Sequence, residues 1–466
     1  MSDFGGKFMK NAETIGDELN RTLKIMLDSG EAASVEEAQR IFEGFRLQIH
    51  IGNDVATSQT LQAALLTAVN TGRRCFLGGV TVVGNTNVGL LIPWRRCRTL
   101  REAVLDLQGE PSEVFDDNTP QIFIGDTNSK IPTNEFAMRA TFDGWRGGIA
   151  PMEDNIRLDE RQEFTPAGVL AGALSVSEAF QFVRGRNAIA GHRSVGLSLW
   201  RPQSEMSWLE EKENGPALKI LPSRLWLIGL GHLGQAYLWT LGFLPFTDPG
   251  EVTLVLHDFD TLVAANDSTS PLTNKKIVGR KKTRAMAEWC EERGFRTSIV
   301  ERPFAPNFKI DGDDPRVALC GVDNERARAA LEDVGFAKII EAGLGKGTEE
   351  YLAFQIHSFP ARKSARHIWD NGAPVAAPPA LEKPAYQALA AEGLDKCGLT
   401  LLANRSVGAS FVGAFTSSLV IAELLRITIG ERGYEVIDGT LRSLENRKAF
   451  VAAKQSSFNA GFTAAG

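Results

Sequence analysis

No two of the five cysteines form a CxxC pair, and Cys75, Cys97, Cys290, Cys320 and Cys397 lie scattered along the chain. A disulfide framework and a structural zinc site built from cysteine pairs are therefore not expected. Dense blocks of lysine and arginine are also missing, and the formal net charge is −6. That balance argues against a nucleic-acid or membrane partner, because both attract basic patches. The N-terminal MSDFGGKFMKNAETIGDEL lacks the apolar stretch of a signal peptide. The uncharged run 406–422 is short for a bilayer and rich in Gly, Ser and Thr, which predicts a buried helix rather than a membrane span. Together these absences predict a cytoplasmic protein.

What is present is ordinary globular composition, 43% apolar and 23% charged over 466 residues, enough for two or three domains. Residues 1–50 read as polar, amphipathic helices. From 51 to 202 helix and strand alternate: a helix at LQAALLTAVNTG, a strand pair around CFLGGVTVVG, strands near GLLIPW and QIFIGD, and a closing small-residue helix, AGVLAGALSVSEAFQFV. Residues 203–220 are charged and carry Gly and Pro, which marks a linker. Residues 221–440 follow the order of a parallel βαβ series, interrupted by a crossover loop at 358–405 with a Pro- and Ala-rich stretch at 371–386. A tail, 441–466, remains. The expected fold class is α/β: a Rossmann-like, mostly parallel sheet with flanking helices in the C-terminal half. It is preceded by a second α/β half without a glycine-rich nucleotide loop, and a small-residue helix ends each half.

SRLWLIGLGHLGQAYLWTLGF sets Gly229, Gly231 and Gly234 between an apolar strand and an apolar helix. The first glycine permits a tight turn, the second lets a phosphate approach the backbone, and the third allows close helix–strand packing. The helix N-terminus then offers free N–H groups and positive potential to a phosphate. The next strand, EVTLVLHDFD, ends in Asp258 and Asp260, where one carboxylate ordinarily accepts from ribose hydroxyls. Asn266 follows eight residues after Asp258 and Lys282 follows 24 after it, while ALCGVDNERARAAL reads as a strand ending in Asp323-Asn324 and then a helix.

Glycine loop, DFD, Asn, VG-x-x-K and DN-x-x-x-R together resemble the ATP-binding core of the ThiF/MoeB/HesA superfamily, the relatives of ubiquitin-activating enzymes. The resemblance is clear over 222–345 and looser to about 430. It implies that Asp258 binds ribose, that Asn266 and Lys282 contact phosphates, and that Asp323 holds Mg²⁺. Asp260 and Asn324 join the nucleotide-binding set. The implied cofactors are ATP and Mg²⁺. The implied reaction is attack of a protein's C-terminal carboxylate on the α-phosphorus, with cations placed where negative charge accumulates. The family's N-x-x-R-Q is here Asn266-Asp267-Ser268-Thr269-Ser270, so the expected arginine is missing. Arg280, Lys281 and Arg146 are the candidate substitutes. His232 reads as an exposed first-turn residue.

Some members of the superfamily go on to form a thioester. Cys397, beside Lys396 after the crossover, is the candidate nucleophile, with Cys97 in WRRCRTL an outside one; Cys75, Cys290 and Cys320 read as packing residues. Beside a pair of halves as in ubiquitin-activating enzymes, the first half would be a degenerate, inactive adenylation domain. The implied partner is a small ubiquitin-like protein or a sulfur carrier. A conjugating enzyme and a homodimer are left open. About 40 residues follow the last long helix, too few for a separate ubiquitin-fold domain, which favours a bacterial ubiquitin-like conjugation system or a stand-alone activator. A catalytically inactive scaffold and, least, an NAD-dependent oxidoreductase are the other readings.

Overall fold

The structure is a computed structural model that describes residues 12–94, 96–127, 135–203, 206–369, 379–453 and 458–466. Part of the expected crossover stretch, 370–378, lies outside the described residues. Helices α1 (Ala12–Glu18), α2 (Lys24–Ser29) and α3 (Val35–Gly44) lead into strand β1 (Leu47–Ile51). Then come α4 (Gln59–Gly72), β2 (Val80–Val83), α5 (Leu100–Asp106), β3 (Glu110–Ser112), β4 (Gln121–Ile124), β5 (Ala137–Asp143), β6 (Arg146–Pro151), α6 (Thr165–Val183) and β7 (Val195–Ser198). Strand β8 (Ile220–Pro222) precedes β9 (Arg224–Ile228), α7 (His232–Leu241), β10 (Thr253–His257), α8 (Lys282–Glu291), β11 (Arg296–Val300), β12 (Val317–Cys320) and α9 (Glu325–Ala329). The remainder is β13 (Lys338–Leu344), β14 (Ala353–Phe359), α10 (Ala365–Trp369), α11 (Pro384–Ala391), α12 (Lys396–Ala403), α13 (Ser410–Thr428), β15 (Tyr434–Thr440), β16 (Lys448–Val451) and β17 (Phe462–Ala464).

The strands form a seven-stranded sheet in the order β3-β2-β1-β4-β5-β6-β7, an eight-stranded sheet in the order β11-β10-β9-β12-β13-β14-β15-β16 and an antiparallel pair, β17-β8. In each of the two larger sheets, the first five positions pair in parallel and the rest antiparallel. The two halves are thus one topology used twice, with β16 added to the second. Each has a switch point where strand order reverses, between β1 and β4 and between β9 and β12, the place where open α/β sheets bind ligands.

The long helices explain the small-residue runs. Glycines 168 and 172 of α6 face the carbonyls of Thr60 and Ala64 so closely that a Cβ would not fit, so α6 and α4 pack backbone against backbone. Helix α6 also packs on α13, and α13 on α7, which joins the halves through a helical layer. Two helices, Thr165–Val183 and Ser410–Thr428, are long and apolar enough to cross a membrane, but 89% and 100% of their apolar windows are buried inside the fold, where they act as core helices.

Three sequence expectations are corrected. Residues 47–50, expected as part of a helical segment, belong to β1, the third strand in the order of the first sheet. GLLIPW forms no strand; only Gly89 makes a bridge, to Thr99, and Pro93 withholds an N–H from any ladder. CFLGGVTVVG gives one strand rather than two. The segment expected as a linker lies against the outer face of the first sheet: Trp208 packs on Gly148 and Gly196, and Trp145 donates to the carbonyl of Pro216 at 2.8 Å.

Candidate nucleotide site

Strand β9 delivers Gly229 at φ +82°, a conformation that favours glycine, and the chain turns through Leu230 and Gly231 into α7. A Cβ on Gly234 would collide with the carbonyl of Gly229, so helix and turn meet only because the position has no side chain. Gly234→Ala is expected to cost about 1–3 kcal/mol through overpacking. A fall in thermal midpoint with weakened ATP binding is the measurement that checks it.

Asp258, at the end of β10, lies under this turn. Its Oδ2 accepts from Leu230 N at 2.7 Å and its Oδ1 from Asp260 N at 2.8 Å. Lys282 opens α8; its Nζ lies 2.7 Å from Asp260 Oδ2 and 3.8 Å from Asp258 Oδ2. Thus residues far apart in sequence meet at the open end of the sheet, with Asp258 and Lys282 both 9% exposed. On the neighbouring strand, Gly321 N donates to the Ile228 carbonyl at 2.9 Å, which sets the turn carrying Asp323 beside the glycine loop. Asp323 is exposed and makes no ion pair among the described residues. Asn324 caps α9, its Oδ1 accepting from Arg326 N at 2.9 Å and Ala327 N at 3.3 Å. Asn266 Oδ1 accepts from Val263 N at 2.9 Å and closes its own turn.

None of the three expected cations stands free for the missing arginine. Arg146 is buried in the first sheet, paired with Asp143 at 3.1 Å and bonded to the Glu211 carbonyl. Arg280 pairs with Glu288 at 2.6 Å, and Lys281 donates to the Phe259 carbonyl at 2.6 Å. Instead the first half sends Arg73 and Arg74, from the end of α4, to Asp267 at 2.7 and 2.9 Å. Burial alone would push the Asp267 carboxyl up, but the two guanidiniums hold it below the usual carboxylate range. Arg21 adds a backbone bond to Ser268 Oγ at 2.9 Å. No sequence motif pointed to these arginines, which lie about 190 or more residues from their partners.

His232 is not exposed: its Nε2 is buried against Gly413 without a hydrogen-bond partner among the described residues, and burial holds its pKa at about 4. Burial also raises the thiols of Cys97 to about 11 and Cys320 to about 12, and those of Cys75 and Cys290 upward, and all four are buried. Cys397 is exposed. It sits on the first turn of α12 rather than in a loop, and Asp395 caps that helix by accepting from Gly398 N at 2.7 Å. Helix α1 packs both on α12 and on the turn that holds Asn266.

The matching switch point of the first half is filled. Asp54 follows β1, and its two oxygens accept from Asp126 N at 2.9 and 3.0 Å; Arg157 ties it to Glu160. Gly125 packs so closely on Asp54 Oδ1 that a Cβ would not fit, so a carboxylate rather than a glycine turn lines this strand end.

Two α/β halves of one topology, the second with a glycine turn at its switch point, have the fold of an E1-like protein. A profile of the BilD C-terminal domain matches residues 221–431, and one of the BilD N-terminal domain matches 46–199. The bacterial E1-like protein BilD of Collimonas sp. (strain OK412) is 42% identical over 428 residues, 92% of each chain. The chain belongs to the BilD family. Among solved structures, PaaA aligns with TM-score 0.32 and 13% identity over 51% of this chain and 65% of that one. The E. coli tRNA N6-threonylcarbamoyladenosine dehydratase TcdA aligns with TM-score 0.27 and 13% identity over 44% and 85%. Scores this low carry no functional weight.

Proposed function

We propose that this protein uses ATP to adenylate the C-terminal carboxylate of a small ubiquitin-like protein and then transfers the acyl group to Cys397. The observation that carries the reading is the meeting of Lys282 with Asp258 and Asp260 beneath a glycine turn, at a switch point whose counterpart is plugged. The E1-like description of the Collimonas relative supports the same reading.

The donor set suits a magnesium nucleotide. The α7 N-terminus would offer N–H groups to phosphate, Asp258 would accept from ribose, and Asp323 is a hard oxygen donor of the kind Mg²⁺ takes. Mg²⁺, when bound, would offset charge on the leaving pyrophosphate. The carboxylate oxygen bonds to the α-phosphorus as the bond from that phosphorus to the bridging oxygen breaks, and pyrophosphate leaves with the electron pair. Lys282 stabilises the charge that gathers there. In the second step Cys397 Sγ, its proton lost to water, attacks the acyl carbon, and AMP departs. Acyl transfer then needs no change of enzyme, only an approach of α12 to the adenylate.

ATP–pyrophosphate exchange that depends on an added ubiquitin-like protein tests the first step; no exchange with any ubiquitin-like or sulfur-carrier protein would favour a scaffold. For the second, Cys397→Ala should keep exchange near wild type and lose the thiol-reducible adduct seen on a non-reducing gel. An adduct that persists removes Cys397 from the mechanism.

A further inference from the structure

The turn that presents Asp323 is fixed from within by the Asn324 cap of α9. Residues 323–326 are exposed, and the helix that follows, α9, is only five residues long. A second anchor comes from beneath. Arg328, the last residue of DN-x-x-x-R, is 8% exposed, and its Nε donates at 2.8 Å to the Val322 carbonyl, the oxygen of the peptide bond that enters Asp323. The same Nε lies 3.0 Å from Glu341 Oε1 as a charge contact, its hydrogen being directed to Val322. NH2 reaches the Ala342 carbonyl at 3.4 Å, and the guanidinium faces the Trp369 ring at 4.6 Å. Glu341, with 0% exposure, is itself held by His357, whose Nδ1 lies 3.1 Å from Oε2.

We propose that Arg328 is a positioning residue for the adenylation site: Glu341 and Trp369 fix its plane, and that plane fixes the Val322–Asp323 peptide so that Asp323 faces the strand-end pocket. This rests on the reading of Asp323 as the metal-holding residue. The arrangement requires a planar cation with several donors at set angles. A lysine carries the charge but cannot reach a carbonyl while stacked on an indole and paired with a carboxyl. Arg328 touches neither nucleotide nor tail, so its influence passes through backbone alone, as outer partners of metal ligands do.

The test uses the full chain with Arg328→Lys and, as an isosteric second variant acting on the same cluster, Glu341→Gln. Hydrogen–deuterium exchange without nucleotide is expected to accelerate at amides 322–327 in both, with β9 and β13 as protected as in wild type. The Mg²⁺ concentration for half-maximal ATP–pyrophosphate exchange is expected to rise about 10- to 100-fold, the range seen when outer partners of metal ligands are removed, while KM for the ubiquitin-like protein stays near wild type. Unchanged protection at 322–327 in a folded variant overturns the anchoring, whatever the protein binds. Faster amide exchange with a wild-type Mg²⁺ requirement overturns the link to the site. Absence of Mg²⁺-dependent exchange in the wild type itself instead sinks the reading of Asp323, and the functional half of this proposal with it.

Discussion

Lys282→Ala is expected to slow ATP–pyrophosphate exchange by about 10²–10³-fold, equivalent to about 3–4 kcal/mol of lost charge stabilisation. The size follows from where the ammonium sits. Lys282 is buried to 9% exposure at the start of α8, with Nζ 2.7 Å from Asp260 and 3.8 Å from Asp258. Removing it subtracts a cation and leaves two carboxylates facing an incoming triphosphate, so the loss combines missing attraction with new repulsion. Most of the effect should appear in kcat, because the charge that Lys282 meets grows as pyrophosphate leaves. Its neighbour Lys281 supplies the control: that side chain is exposed and donates to the Phe259 carbonyl, so Lys281→Ala should change the rate little, within about 0.5 kcal/mol. Rates for Lys282→Ala within threefold of wild type, measured with the same partner protein, would remove Lys282 from the chemistry.

The second half announced itself in sequence because a glycine turn and the carboxylate beneath it dictate residues locally. A tight turn needs Gly229, close packing needs Gly234, and a strand end needs Asp258, so the spacing to Lys282 read along the chain becomes a 3.8 Å approach in space. The first half was legible only as α/β alternation. Its strand Leu47–Ile51 escaped because Gln48 and His50, both buried in it, interrupt the apolar run expected of a buried parallel strand. The plug at Asp54 escaped for another reason. A single carboxylate occupies a site through contacts with Asp126 and Arg157, which lie about 70 and 100 residues away and carry no motif. Likewise the substitute for the family arginine was sought among residues with a suggestive local setting, such as Arg146, whereas the arginines that reach Asp267 come from the end of α4. Pairing across the two halves leaves no periodic signal in either. His232 misled because its burial comes from α13, almost 180 residues downstream.

Arg74→Ala is expected to destabilise the protein by about 3–5 kcal/mol, the usual cost of removing one partner from a buried ion pair. Arg74 is 3% exposed. Its guanidinium is 2.9 Å from Asp267 Oδ1, donates to the Pro271 carbonyl at 2.9 Å and the Thr273 carbonyl at 3.2 Å, and binds Asn70 through Nε and NH2 at 3.1 Å each. Alanine would leave the Pro271 carbonyl and the Asn70 oxygens without the guanidinium, and Asp267 and the Thr273 carbonyl would be held by Arg73 alone. Arg73 meets the same Asp267 from a more open position, 10% exposed against 1% for the Arg74 side chain, so Arg73→Ala should cost about 1 kcal/mol. The loss at Arg74 should also reach the nucleotide. Loop 266–273 carries Asn266 at one end, and at the other Leu272 N and Thr273 Oγ1 donate to Gln235 Oε1 at 3.1 and 3.0 Å. Gln235 in turn donates from Nε2 to the Leu230 carbonyl of the glycine turn at 3.0 Å. Freed from Arg74, this loop can shift and carry the turn with it. Urea unfolding should therefore show the lower stability, and ATP titration at a temperature where the variant is still fully folded should show weakened binding. Equal ATP affinity in the folded variant would mean that the first half supports the fold of the second without shaping its pocket.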